Sequence, residues 1–347
     1  MSRQVAWASG THGTYLRTTD GGATWIPSQV PDAGTLDFRA VVGFSADEAF
    51  LMSAGPGQQS RIYHTSDGGK HWQLQFTNTN PQGFFDSIVF WDSTHGVVLG
   101  DPIAADAGKL KFEILLTDDG QNWHAVPGAQ VPDAIDGEGA FAASNTSIAL
   151  APSASDSNIW FATGGKAARV FHSADRGKTW QVFDTPIVHG LDSAGIFSIA
   201  FRDATHGVIA GGDYKRPKDD GPNLAFTEDG GTTWTLSTIH PLAYFSAVAY
   251  DRRINQATMR STSTMPRGDT TTIIATGSTA AGISSIATGS TTDTGSQGFD
   301  LPPTFLQGEG ATVRRFDAPS PLRKRVGGLS ESKLGGWPRL PARDDRH

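Results

Sequence analysis

Apolar residues in this chain fall in short runs separated by turns rich in Gly, Asp and Thr. Phe38-Arg39-Ala40-Val41-Val42-Gly43-Phe44 is followed by Ala49-Phe50-Leu51-Met52, then by Ser60 to His64, then by His71 to Phe76. Runs this short, rich in aromatic and β-branched residues and bounded by turn formers, predict β-strands. The leading run returns as Phe84-Phe85-Asp86-Ser87-Ile88-Val89-Phe90, as Gly195-Ile196-Phe197-Ser198-Ile199-Ala200-Phe201, and as Tyr244-Phe245-Ser246-Ala247-Val248-Ala249-Tyr250. Gly139-Ala140-Phe141-Ala142 is the expected counterpart between the Phe84 and Gly195 runs. The chain thus repeats a unit of four strands.

Between the last two strands of a unit stands one motif, first seen as Thr18-Thr19-Asp20-Gly21-Gly22-Ala23-Thr24-Trp25. It recurs with its Asp and Trp at Asp67 and Trp72, Asp118 and Trp123, Asp175 and Trp180, and Asp229 and Trp234. The shared pattern is Ser/Thr, any, Asp, any, Gly, two of any, Trp. The third copy departs from it, with Leu116 where the hydroxyl should be. Asp followed by Gly is hairpin-turn chemistry: the glycine takes positive φ, the carboxylate caps backbone N–H groups, and the Ser/Thr hydroxyl adds a further local bond. The Trp opens the return strand and packs its ring on neighbouring residues. Asp20, Trp25 and their counterparts are therefore assigned to structure, not chemistry.

The motif resembles the Asp-box, or bacterial neuraminidase repeat, of β-propellers. Successive Asp residues lie 47, 51, 57 and 54 positions apart, which suits a four-stranded blade. The resemblance implies an all-β fold, a single propeller of seven blades, with six as the alternative. Only 19 residues precede Asp20, so a late strand is expected to complete the first blade and remove two sheet edges. Blades one to the start of six occupy 1–257, and a Thr/Ser/Gly-rich stretch follows at 258–297, either a worn blade or a reading-frame artefact. The expected closing strands lie in 298–317, and 318–347 is a disordered tail with seven Lys/Arg against three Asp/Glu.

A net charge of −7 and a pI near 5.8 argue against nucleic acid as partner. No cysteine is present, which excludes disulfides and zinc–thiolate sites. No apolar run reaches the ~20 residues of a membrane helix, and Met1-Ser2-Arg3-Gln4 does not read as an export signal. The turns Asp92-Ser93-Thr94-His95-Gly96 and Asp203-Ala204-Thr205-His206-Gly207 repeat a histidine in different blades, which suits a hairpin residue better than a metal ligand. No metal and no cofactor are expected, and a monomer is.

Leading strands line the channel of a propeller, so their polar residues are the binding candidates: Arg39, Asp86 and Glu138, with Asp213 and Tyr214 on an overhanging loop. Ser198 and Ser246 sit at similar offsets. Asp86 and Asp101 are the candidates for acid/base work on a glycosidic bond. The Phe-Arg-x-Val strands, Asp-x-x-His-Gly turns and Thr-x-Asp-Gly-Gly-x-x-Trp boxes of residues 5–250 further resemble the photosystem II stability/assembly factor family and its bacterial relatives. That resemblance implies a non-catalytic scaffold whose central face binds a protein, or a carbohydrate or small anionic ligand; Arg39 alone carries over from its basic face. The bacterial relatives usually carry an export signal. The alternative is a glycoside hydrolase of sialidase-like or xyloglucanase-like type, although a sialidase's Phe/Tyr-Arg-Ile-Pro motif is missing.

Overall fold

The structure, a computed structural model, describes residues 4–105, 108–151, 157–238 and 242–251, and the later strands Gln256–Arg260, Thr271–Gly277, Ile283–Ser290 and Thr312–Val313. The first sheet holds β1 (Ala6–Ser9), β2 (Thr14–Thr18) and β3 (Ile26–Gln29). The second holds β4 (Asp37–Gly43), β5 (Ala49–Ala54), β6 (Arg61–Thr65) and β7 (Gln73–Thr77), and the third β8 (Phe85–Phe90), β9 (Gly96–Ala104), β10 (Leu110–Thr117) and β11 (His124–Ala125). After the short β12 (Glu138–Gly139) come β13 (Ile148–Leu150), β14 (Ile159–Ala162), β15 (Gly164–Gly165), β16 (Arg169–Ser173) and β17 (Gln181–Asp184). Of these, β13, β14, β16 and β17 make the fourth sheet, while β12 and β15 extend the fifth, whose own strands are β18 (Leu191–Phe201), β19 (Gly207–Asp213), β20 (Leu224–Thr227) and β21 (Thr235–Leu236). The sixth is β22 (Ala247–Asp251), β23 (Gln256–Arg260), β24 (Thr271–Gly277) and β25 (Ile283–Ser290).

Finally, β26 (Thr312–Val313) pairs antiparallel with β1, Ala8 opposite Val313, and takes the inner edge of the first sheet. The molecule is an all-β propeller. Its described residues form six sheets, the number of the alternative count, and the seventh blade of the leading expectation is not among them. The tail 318–347 lies outside the described residues.

Cores form between blades. Along β14, Ile159 and Phe161 pack with Val97, Leu99 and Phe112 of the third sheet, while Trp160 and Ala162 pack with Ile199, Phe201 and Ile209 of the fifth. Along β5, Leu51 joins Trp7 and Tyr15 of the first sheet, and Phe50 and Met52 join Phe85 and Ile88 of the third. Side chains alternate across a strand, so a strand buried on both faces must be apolar at every position. This is why the second strands read as unbroken apolar runs.

One correction concerns the fourth blade. Its inner strand is Ile148–Leu150, not the expected 139–142. Gly139 instead pairs with Gly164, and the following residues turn into the centre of the molecule.

The box turns share one hydrogen-bond scheme. Thr18 Oγ1 donates to Asp20 Oδ1 at 2.7 Å and accepts from the Gly22 amide at 3.0 Å. Asp20 then accepts from the Thr24 amide and from the Thr24 hydroxyl, at 2.9 and 2.6 Å. Asp67, Asp175 and Asp229 repeat this with His71, Thr179 and Thr233. Gly68 and Gly69 sit at φ +77° and +84°, a turn that glycine makes without strain.

In the third copy the capping carboxylate is Asp119, not Asp118. Thr117 Oγ1 donates to Asp119, and the amides of Gln121 and Asn122 and the Asn122 side chain donate to the same carboxylate. That turn is one residue shorter, so its hydroxyl is Thr117 and Leu116 stays in the core, 6 % exposed. Among the box tryptophans, Trp180 is the most buried, donating to the Gly177 carbonyl. Trp234 donates likewise to Gly231, Trp123 to the Gln75 side chain, and Trp72 packs edge-on against Trp7 and Tyr15, while Trp25 is half-buried.

Candidate binding site at the channel mouth

In each meandering sheet the boxes and the first-to-second strand turns lie at one end; the second-to-third turns and the links between blades lie at the other. The box end is closed by short-range bonds. Asp92 and Asp203 accept from the backbone and hydroxyl of Thr94 and Thr205, and His95 and His206 place Nδ1 2.9 Å from the same carboxylates. These histidines finish a turn. No group of three or more potential metal ligands occurs among the described residues.

At the other end three inner strands bulge at equivalent positions. Phe38 faces Ser53 and Ala40 faces Met52, leaving Arg39 without an opposite residue. Asp86 is skipped in the same way between Phe85 and Ser87, and Phe197 between Ile196 and Ser198. A bulge re-aims one side chain out of the ladder, and here it takes three out of register at equivalent positions. The sequence places Ser198 at that offset; aligning Ile199 with Ile88 and Val41 puts Phe197 there instead.

Arg39 Nε donates to Asp37 Oδ2 at 2.8 Å, and Nη1 to the Ala142 carbonyl at 3.4 Å. Asp86 is 1 % exposed, and its Oδ2 has no hydrogen-bond partner among the described residues. Burial, and then the negative charge of Asp101, push its pKa well above the usual carboxylate range, against the pull of Arg39. The Asp101 amide donates to the Phe84 carbonyl at 2.8 Å, and its Oδ1 accepts from the Ala140 amide at 3.0 Å. Burial raises it to about 6. Glu113, opposite Gly100, is likewise raised by burial and is held by Asn78 at 2.6 Å.

Glu138 does not join this group. Its side chain has no exposure and takes Arg169 through both oxygens, Nε to Oε1 at 2.9 Å and Nη2 to Oε2, with Thr163 and the Ile135 amide completing its bonds. Asp213 is satisfied within its loop by Arg216 Nε and the Lys215 amide, both at 2.9 Å. Tyr214 is 48 % exposed and lies edge-on to Phe197.

Residues 140–147 run through the centre. Ala140 bonds Asp101, the Ala142 carbonyl accepts from Arg39, and Phe141 stacks on Phe197 at 3.8 Å between centroids. Asn145, at φ +55°, pairs its side-chain amide with both the N–H and the C=O of Ile88, imitating a strand neighbour. Thr146 accepts from the Ile199 amide and the Ser198 hydroxyl, Ser147 meets Ser87 at 2.6 Å, and Ser144 donates to the Ser246 carbonyl. One segment therefore ties together inner strands of the second, third, fifth and sixth sheets. Its hydroxyl and amide groups supply partners to edges that would otherwise be bare.

Residues 1–126 match the family model described as photosynthesis system II assembly factor YCF48. The chloroplast photosystem II stability/assembly factor HCF136 of Oryza sativa subsp. japonica is 36% identical over 67 residues, which are 18% of this chain and 15% of that protein. The chain thus matches about a seventh of that relative's length. Among solved structures, a GH74 xyloglucanase from Xanthomonas campestris is similar at a TM-score of 0.51 and 15% identity, over 77% of this chain and 42% of that one. A structure of YCF48 bound to D1 peptide is 18% identical over 74% of this chain and 87% of its own, with a TM-score of 0.37. The chain is a β-propeller protein whose first 126 residues are similar to the photosystem II assembly factors.

Proposed function

We propose that the chain is a non-catalytic, assembly-factor-like scaffold that binds a protein partner at the channel mouth. The observation that carries this reading is the convergence at one end of Arg39, Asp86–Asp101 and the Phe141–Phe197–Tyr214 wall, opposite an end closed by its own turns. Charged groups flanking an exposed aromatic ring, Tyr214, backed by half-buried Phe141, suit a protein interface. The family match of residues 1–126 supports it. The central segment also supports it, because residues 140–147 fill the centre with satisfied polar groups.

A glycoside hydrolase is the second reading. It is favoured by one observation: Asp86 feels the charge of Asp101 and is pushed well above the usual carboxylate range while Asp101 is raised to about 6, and an acid and a base need unequal acidities. A panel of aryl glycosides, run beside partner capture by cross-linking from a host lysate, separates the two. Turnover lost in Asp86→Asn or Asp101→Asn would establish the hydrolase. Capture without turnover, abolished by Tyr214→Ala or Arg39→Ala in a protein that still melts cooperatively, is the expected result.

A further inference from the structure

We propose that the Asp86–Asp101 pair is a subsite for a basic side chain, lysine or arginine, presented by the protein partner. This rests on the partner-binding reading above and specifies its chemistry.

The first ground is the unmet demand of Asp86. Its Oδ2 is buried and has no hydrogen-bond partner among the described residues, a condition that costs free energy in any folded protein. Asp101 is the more accessible member, and the bond to its carboxylate comes from a single backbone amide, that of Ala140. The second ground is charge. Arg39, the cation whose charge reaches Asp86, is engaged by Asp37 at 2.8 Å, and Glu113 adds a further acid opposite Gly100. A positive charge delivered to Asp101 would be shared with Asp86 behind it and would restore ordinary acidity to both.

The shape of the opening selects the class of cation. A long apolar stem with a charged tip reaches a recessed carboxylate while its methylene groups cover aromatic surface. The wall for that stem is half-buried Phe141, backed by buried Phe197, and exposed Tyr214, which already holds the Lys215 ammonium 6.0 Å from its ring centre. The chain's net charge of −7 draws a basic partner toward it.

The test is selection of random dodecapeptides displayed on phage against the full chain, followed by calorimetry of the selected peptides. The expected result is enrichment of Lys and Arg. Asp101→Asn should then weaken the selected peptides about tenfold or more, and Asp86→Asn should weaken them in the same direction. Asp47→Asn, an exposed acid at the box end, should leave their affinity unchanged. Thermal melts confirm that each variant is folded. Peptides that bind without basic residues, or that ignore Asp101→Asn, would overturn the subsite and leave the partner-binding reading standing. Failure to select any peptide would overturn both.

Discussion

Aspartate serves opposite purposes at the two ends of this propeller. At the box end Asp20 and Asp67 are open to solvent yet stronger acids than usual, near 2, the first through the Thr24 hydroxyl and amide and the second through the His71 amide and ring. At the mouth, Asp86 and Asp101 are weaker acids than usual because burial removes water and few donors replace it. Donors decide the first case and desolvation the second. A carboxylate surrounded by donors holds a turn; one held with too few is a candidate site for a ligand.

Removing the most buried box tryptophan tests the box end most severely. Trp180→Ala should cost ~3–5 kcal/mol in chemical denaturation, since it empties the core between the third and fourth sheets. Glu138→Gln should cost a similar ~3–5 kcal/mol, because it leaves Arg169 buried without its counter-charge. That result would place Glu138 with the structural acids although it lies at the mouth end. Next in size, Asp175→Ala should lose about 1 kcal/mol as a lost cap. Asp86→Asn should run the other way, leaving the melting temperature unchanged or raised, because it removes the cost of a buried acid. The smallest contrast lies within one turn: Asp119→Ala should lower the midpoint while Asp118→Ala leaves it in place.

Stability should depend on pH in two windows of opposite sign. The box carboxylates are depressed below their unfolded value of 3.8, so their contribution is present above that value and is lost as pH falls toward 2. Asp101 is raised, so the folded state binds its proton more tightly and stability declines as pH rises from about 4 through 6. A denaturation series from pH 3 to 7 should show that decline in the wild type and less of it in Asp101→Asn.

The fold was legible in the sequence because the box recurs every 47 to 57 residues, and local turn chemistry does not depend on distant residues. The residue before each Trp was equally legible and went unread: Thr24, His71, Asn122, Thr179 and Thr233 all carry a donor, and all serve the box carboxylate. The shortened third turn misled because a one-residue deletion leaves Asp118 and Asp119 adjacent. The mouth was legible in part. Arg39, Asp86 and Asp101 stood out as polar residues on or beside apolar strands, but the Glu138–Arg169 pair joins positions 31 apart that no local pattern connects. The central segment was taken for a strand because Gly139-Ala140-Phe141-Ala142 has strand composition. What draws it inward is Asn145 bonding the free edge at Ile88, a tertiary effect.

The most direct test of the two-ended account is a carboxyl-carbon NMR titration of protein labelled at aspartate, with Asp67→Asn and Asp101→Asn used to assign the two signals. The account predicts one midpoint near 6 for Asp101 and one near 2 for Asp67. Both residues titrating together near the ordinary value of 3.8 would contradict it, because the mouth would then hold no acid in need of a partner.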